Sequence, residues 1–200
     1  MSILQIWNFT LKRTSFASGE KRIGKMVVMR NGFLRQGLID LIDWLPYNNI
    51  KMIEVGSYAG ESADLFAQSP KIQQLWCIDP WMPGYDSTDV ASSSDFNEVE
   101  HAFDLVAQKH QNKIRKFKGM LKDFQSKFPN DVPDFIYIDA NHTYDGCKSD
   151  IQTALLWKDV PIIGGHDYAN WCPGVIQAVD EIFGKPTKTF ADSSWVKAYG

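Results

Sequence analysis

The stretch Ile50 to Ser62, IKMIEVGSYAGES, constrains this chain more than any other. It opens on a short apolar run, Met52-Ile53-Glu54-Val55, which suits a strand buried on both faces of a parallel sheet. The run contains an acid near its end, and a glycine turn, Gly56-Ser57-Tyr58-Ala59-Gly60, follows at once. Glu61 to Ala67 then reads as a helix. A strand, a glycine turn and a helix in that order place backbone N–H groups and a helix N-terminus at the mouth of a sheet, where small charged ligands bind.

The spacing narrows the ligand. A pyrophosphate-binding turn is written G-x-G-x-x-G, with its second glycine letting the phosphates touch the backbone. Here Tyr58 stands where that glycine belongs, and Glu54 adds a negative charge. An anion is disfavoured and a ligand with a cationic amino acid end is preferred. A nucleotide-dependent oxidoreductase is disfavoured by the same tyrosine. The turn resembles the first motif of class I S-adenosylmethionine-dependent methyltransferases, where such a loop holds the methionine part of the cofactor. A bare structural glycine turn is the alternative.

The chain beyond this motif continues the alternation. Gln74-Leu75-Trp76-Cys77-Ile78-Asp79 reads as a second buried strand ending in an acid. Asp79 lies roughly 20 residues beyond the turn, where an acid accepts hydrogen bonds from ribose hydroxyls, or caps a strand end. Trp81 either stacks on an adenine or packs on the core. Residues 80–95 are rich in Pro, Gly, Ser and Asp, long for a connection, and read as a candidate lid. Phe96, Val99, Phe103, Val106 and His110 mark a helix. His101 and His110 have no acids at ligand spacing and read as helix-surface or boundary residues. A third strand covers Lys113 to Lys118, and a helix opens at Gly119-Met120. The basic residues of 113–122 read as a solvated edge.

A second constellation lies further on. Pro133 to Asp139 is a fourth strand ending in an acid, followed by Asn141, His142 and a helix beginning near Tyr144. Val160 to Gly164 is a fifth, followed by Gly165-His166-Asp167-Tyr168, and Gly174 to Phe183 is an amphipathic helix. Acids or histidines thus end four strands on one rim. With the fourth and fifth strands adjacent, their ends lie about 5 Å apart. Asp139, His166 and Asp167 could then share one divalent ion, or else only cap helices. Upstream of the first strand, Phe33, Leu34, Leu38, Leu41, Ile42 and Leu45 recur at helical spacing up to Pro46. Residues 1–30 are hard to read, although Ile3, Ile6, Trp7 and Phe9 could cap the core or form a partner surface.

The segments IDANHTYDGCKSDI, IIGGHDY and GVIQAVDEIF together resemble a family of small class I methyltransferases that includes macrocin-type sugar O-methyltransferases, over residues 50 to 185. The resemblance implies an α/β Rossmann-like doubly wound sheet of seven strands, with a C-terminal antiparallel hairpin over Thr187–Phe190 and Trp195–Tyr199. It implies S-adenosyl-L-methionine near Glu54, Gly56, Ser57, Tyr58, Gly60 and Ser62 in the turn. It also places the cofactor near Asp79, Trp81, Gly119, Met120 and Asp139. Catalysis is expected at Asp139, His142 and Asp167, and Mg2+ or another divalent metal at Asp139, His166 and Asp167. Metal-dependent sugar enzymes of this kind carry an acid where Asn141 stands and a second where His166 stands. Asn141 takes no proton, so His142 is the expected base. Residues 1–48 are expected to form an N-terminal segment and lead-in helix, and 49–200 a single domain.

The expected reaction is O-methylation of a small hydroxylated acceptor, sugar or natural-product-like, with a cofactor-binding scaffold lacking transferase activity as the alternative. The acceptor would be gripped by the N-terminal part, the 80–95 loop or a second subunit in a homodimer. A formal charge of -3 with no basic run gives no nucleic-acid footprint. No apolar run has the length of a membrane span and no secretion signal opens the chain. Cys77, Cys147 and Cys172 fit no zinc or redox spacing, and a cytoplasmic setting is expected.

Overall fold

The computed structural model describes residues 21–23, 25–28, 33–87 and 89–199. Ile3, Ile6, Trp7 and Phe9 lie outside the described residues. A two-stranded antiparallel hairpin, β1 (Lys21–Ile23) and β2 (Met26–Val28), precedes helix α1 (Phe33–Trp44). The alternation then runs β3 (Ile50–Val55), α2 (Glu61–Gln68), β4 (Ile72–Asp79), a short 3-10 turn (Val90–Ser93) and α3 (Phe96–Lys109). It continues with β5 (Ile114–Lys118), α4 (Leu121–Lys127), β6 (Phe135–Ile138), α5 (Tyr144–Ala154), β7 (Ile162–Gly165) and α6 (Pro173–Phe183). The last two strands are β8 (Lys188–Thr189) and β9 (Trp195–Ala198).

Seven strands form one sheet in the order β5-β4-β3-β6-β7-β9-β8. The first five are parallel, and β9 runs antiparallel between β7 and β8. The sheet is the Rossmann-like, doubly wound one with a C-terminal hairpin. Alternation along each strand builds two cores. Met52, Leu75, Cys77 and Tyr137 point to the face covered by α1, α2 and α3, through Leu38, Phe66 and Phe103. Ile53, Val55, Ile78, Ile136 and Ile138 point to the other face, where α4, α5 and α6 supply Phe124, Ile151 and Val179. The helices therefore shield both faces, and the near-continuous apolar strands are the sequence consequence.

Strand order reverses between β3 and β6: the chain leaves β3 toward β4 and β5, then returns to β3's other side as β6. A crevice opens at the carboxyl ends of the strands where neighbouring crossovers diverge in this way. Edge strand β5 carries Lys116 and Lys118, whose ammonium groups pair with Glu100 and Asp104 of α3, so the basic stretch is a solvated, charge-blunted edge. The hairpin β1–β2 is not evident in the sequence. It docks on the far end of the 80–95 connection, where Val27 N–H donates to Ser94 Oγ (3.1 Å) and Asp95 N–H donates to Lys25 O (3.2 Å). Among the described residues no helix is long and apolar enough to cross a membrane, and all three cysteines are free thiols.

Candidate active site

The cavity at this crevice has a volume of about 660 Å3, within the range of a cofactor or drug-sized ligand. Its floor comes from the ends of β3, β4, β6 and β7, and its cover from the connection after β4, through Met82, Tyr85, Asp86, Asp89 and Val90. The candidate lid is thus a wall of the cavity, pinned at both ends. Asn141 Nδ2 donates to Tyr85 O (2.9 Å) and His142 N–H to Asp86 Oδ2 (2.8 Å) at one end. At the other, the Tyr58 hydroxyl meets Val27 O and Ser94 Oγ.

The glycine turn is built as its sequence requires. Gly56 has φ +86°, and a Cβ there would overlap the backbone carbonyl of Asp139, so the ends of β3 and β6 close on each other only with glycine at 56. Gly56, Ser57, Tyr58 and Ser62 line the cavity, as do Gly119 and Met120 beyond β5. Asp79 lines it too. Its Oδ2 accepts from Tyr58 N–H (2.9 Å) and its Oδ1 from Trp81 N–H (2.6 Å). Each oxygen keeps a lone pair for a further donor. Burial raises Asp79 from its ordinary 3.8 to about 6, against the lowering effect of those two N–H bonds.

Three expected cofactor contacts fall elsewhere. Glu54 is fully buried within β3, on the sheet face toward Cys77, and does not line the cavity. Gly60, with φ +85°, sits against Phe103 and Val106 of α3, where its freedom serves the turn and the helix packing. Trp81 is only 4% exposed: its ring packs on Phe103 (centroids 4.7 Å apart), lies beneath the Lys116 ammonium, and its Nε1–H donates to Tyr58 O (2.8 Å). Stacking on an adenine is therefore replaced by a core role, because the tight turn at Trp81 (φ +44°) folds the indole back under the glycine turn.

The second constellation is brought together. Ile138 pairs with Gly165, so Asp139, His166 and Asp167 meet at the ends of β6 and β7, with one ligand atom from each within 4.8 Å of the others. Asp167 adopts φ +60°, a left-handed conformation that aspartate tolerates better than most residues and that recurs at functional sites. Its Oδ2 lies 2.8 Å from His166 Nδ1 and 3.0 Å from His142 Nε2. His142 Nε2 also lies 3.6 Å from Asp139 Oδ1, while its Nδ1 faces Asp86 (3.1 Å) and Asp89 (3.6 Å). Burial opposes a charge on this ring, but the contacts with Asp139 and Asp167 outweigh it, and His142 is pushed up to about 12. Burial likewise favours a neutral Asp167, but His142 and His166 hold that carboxyl well below the usual range.

His142 thus faces four carboxylates, Asp86, Asp89, Asp139 and Asp167, and the raised pKa favours its imidazolium form, which weighs against the base role expected of it. Asn141 does not line the cavity. Its Oδ1 accepts from Thr143 N–H (3.0 Å) and its amide holds Tyr85 O, so it laces the loop to the start of α5. Asp86, Asp89 and Trp171, all cavity-lining, were not singled out in the sequence. The acids Asp86 and Asp89 in the middle of a loop already read as a lid were the available signal for the first two. His110 proves a boundary residue with a partner from another element, its Nε2 2.7 Å from Asp64 Oδ1 of α2.

The architecture is shared with solved structures of low identity, a likeness that concerns the fold. CalS11, a calicheamicin methyltransferase, superposes with a TM-score of 0.55 at 13% identity, over 84% of this chain and 77% of its own. Fibrillarin from Aeropyrum pernix, solved with S-adenosyl-L-methionine, gives 0.52 at 12% identity, over 82% and 72%. Cofactor-bound Rv0187 from MTB gives 0.53 at 12%, over 81% and 78%. No curated protein sequence matches the chain. Residues 53–168, from β3 through the turn after β7, match the model of a methyltransferase domain, and the chain belongs to that family of class I S-adenosylmethionine-dependent methyltransferases.

Proposed function

We propose that this protein transfers the methyl group of S-adenosyl-L-methionine to a hydroxyl of a small acceptor. The observation that carries this reading is the continuity of one cavity from Asp79 and the glycine turn to the Asp139/His142/Asp167 cluster. A donor held at one end and an acceptor at the other can then meet in line. CalS11, described elsewhere as a TDP-rhamnose 3'-O-methyltransferase, shares the fold, which favours a glycosidic or natural-product-like hydroxyl.

The bound cofactor supplies an electrophilic methyl carbon on a sulfonium. Asp79 accepts the ribose hydroxyls, and the backbone of Gly56 to Tyr58 walls the methionine end. The acceptor oxygen attacks as the C–S bond breaks, its electron pair returning to sulfur, and the hydroxyl proton passes to a carboxylate. Burial raises Asp89, which lines the cavity beside His142, so it is better tuned as that base than the strongly acidic Asp167. His142 orients the carboxylates around it and steadies negative charge developing on the acceptor oxygen. Catalysis is mainly alignment.

Two carboxylates and an imidazole form a donor set suited to a divalent ion, and Asp139, His166 and Asp167 would hold it. Such an ion would lower the pKa of a coordinated hydroxyl. The His142 imidazolium occupies the same carboxylates, so metal binding would be coupled to its displacement or deprotonation. We assign residues 49–200 to the methyltransferase-like domain and residues 1–48 to an N-terminal segment.

Calorimetric titration with S-adenosylhomocysteine, followed by methyl transfer assays on a hydroxylated panel, tests this reading. Binding weakened at least about tenfold by Asp79→Ala is expected from the loss of charge-assisted hydrogen bonds. Absence of binding by the wild type refutes it.

A further inference from the structure

The lining of the cavity has a composition that selects the acceptor. Among the described residues, the acids lining the cavity are Glu61, Asp79, Asp86, Asp89, Asp139 and Asp167, and no lysine or arginine lines it. The positive charges close to these carboxylates are the His142 imidazolium, Lys116 near Asp79 from outside the lining and, in the reading above, the one net charge of the donor. Even a divalent ion at Asp139 leaves the cavity negative. A phosphate-bearing acceptor such as a nucleotide sugar would enter against that charge with no guanidinium or ammonium among the described residues of the lining to receive it.

The mouth is also apolar. Met82 (51% exposed), Val90 (54%) and Trp171 (66%) line it and are among the most exposed large apolar side chains of the described residues. Trp171 differs from the other two because it is anchored: its Nε1–H donates to Asp167 Oδ1 at 3.1 Å. A tryptophan two thirds in water, tied by its polar edge to the reacting cluster, leaves its ring surface for something else to cover. The indole face is also the best side-chain surface for an organic cation.

We propose, resting on the methyltransferase reading, that Trp171 is the acceptor-recognition residue and that the acceptor is a hydroxylated amine with an apolar ring or face. Its ammonium lies over the indole and toward the carboxylates of the mouth, while its hydroxyl reaches Asp139 and Asp89. The same carboxylates keep the nitrogen protonated. Its lone pair is then not available to attack, and the methyl group goes to oxygen.

The test uses three probes with one scaffold: phenyl β-D-glucosaminide, its N-acetyl derivative, and phenyl β-D-glucoside 6-phosphate. Each is titrated calorimetrically at pH 7 into protein saturated with S-adenosylhomocysteine. Saturation is measured first, so its failure refutes the methyltransferase reading, whereas normal saturation isolates the acceptor question. The amine is expected to bind about tenfold or more tightly than the N-acetyl compound, with the advantage shrinking at high salt, and the phosphate not to bind. Trp171→Ala should lose about tenfold in amine affinity with S-adenosylhomocysteine affinity unchanged, and Trp171→Phe should restore part of it. With the cofactor product bound normally, three results each overturn the proposal. They are no amine binding, amine binding no tighter than that of the neutral or phosphorylated probe, and an amine affinity indifferent to Trp171→Ala.

Discussion

Asp79→Asn separates what the ligand-free fold needs from what the cofactor needs. Asp79 is buried at the end of β4, and burial raises it from 3.8 to about 6. Keeping it ionised at neutral pH therefore costs the folded state about 3 kcal/mol. Asparagine removes that charge but can accept from only one of the two N–H groups that the carboxylate now serves, Tyr58 and Trp81. The lost bond costs about 1–3 kcal/mol. At pH 7.5 the variant should thus be as stable as the wild type or more so, by up to about 2 kcal/mol.

The pH dependence is sharper. With the folded value above the unfolded one, the native state holds more protons between pH 3.8 and about 6, and the wild type loses stability as pH rises through that window. Urea denaturation at pH 4.5 and 7.5 should show the wild type losing about 2 kcal/mol relative to Asp79→Asn. S-adenosylhomocysteine affinity should move oppositely, falling roughly tenfold or more in the variant. Parallel stability profiles for the two proteins would refute the buried-charge account. Unchanged affinity would refute the ribose assignment.

Other expectations follow from the same geometry. Gly56→Ala forces a Cβ against the Asp139 carbonyl at φ +86° and should destabilise by roughly 2–4 kcal/mol in denaturant titrations while abolishing cofactor binding. An unchanged midpoint would mean that the β3 and β6 ends are not in contact. His142, raised far above its ordinary 6.5, should contribute stability fully present below pH 6.5 and lost only as pH climbs toward about 12. Ring nitrogen NMR shifts at pH 8 should report two protonated nitrogens, and a neutral ring there contradicts the four-carboxylate setting. Trp81→Phe keeps the packing on Phe103 but removes the bond to Tyr58 O, costing about 1 kcal/mol of stability with cofactor affinity intact. A large loss of affinity would return Trp81 to the binding site.

The five parallel strands are legible in sequence because burial on both faces writes them as apolar runs, and Asp79, Asp139 and Asp167 are legible because such runs end abruptly in an acid. Direction is less legible. Glu54 also stands near a strand's end, but level with Cys77 and Tyr137, two residues short of the level of Asp79 and Asp139, so its carboxyl is enclosed within the sheet while the next residues open onto the cavity. Trp81 is misread for a related reason: only the positive φ of its turn decides whether the indole points to the ligand or to Phe103. Distances between sequence-remote acids are illegible altogether. Against the opposing effect of burial, the pKa of His142 is raised by Asp139 and by Asp167, 25 positions away on another strand end. The acids facing its other nitrogen, Asp86 and Asp89, lie over 50 positions away, so the setting that weighs against this imidazole as a base is not written in its neighbourhood.

That same pair of acids accounts for the departure at Asn141. The resembling sugar enzymes carry an acid there, at the end of the fourth strand. Here the position is given to an amide whose two ends hold Thr143 and Tyr85, a task for which a carboxylate has no donor. What the amide holds in place is the very loop that brings Asp86 and Asp89 to His142. In the proposed mechanism the carboxylate missing from the strand end is supplied from the lid, on a loop that the Asn141–Tyr85 bond holds. Asn141→Asp should place an acceptor against the Tyr85 carbonyl, free the loop, and remove Asp89 from the reacting volume. Adding the acid that the strand end lacks should therefore lower methyl transfer at saturating cofactor rather than raise it, and higher turnover in that variant would locate the base at position 141 after all.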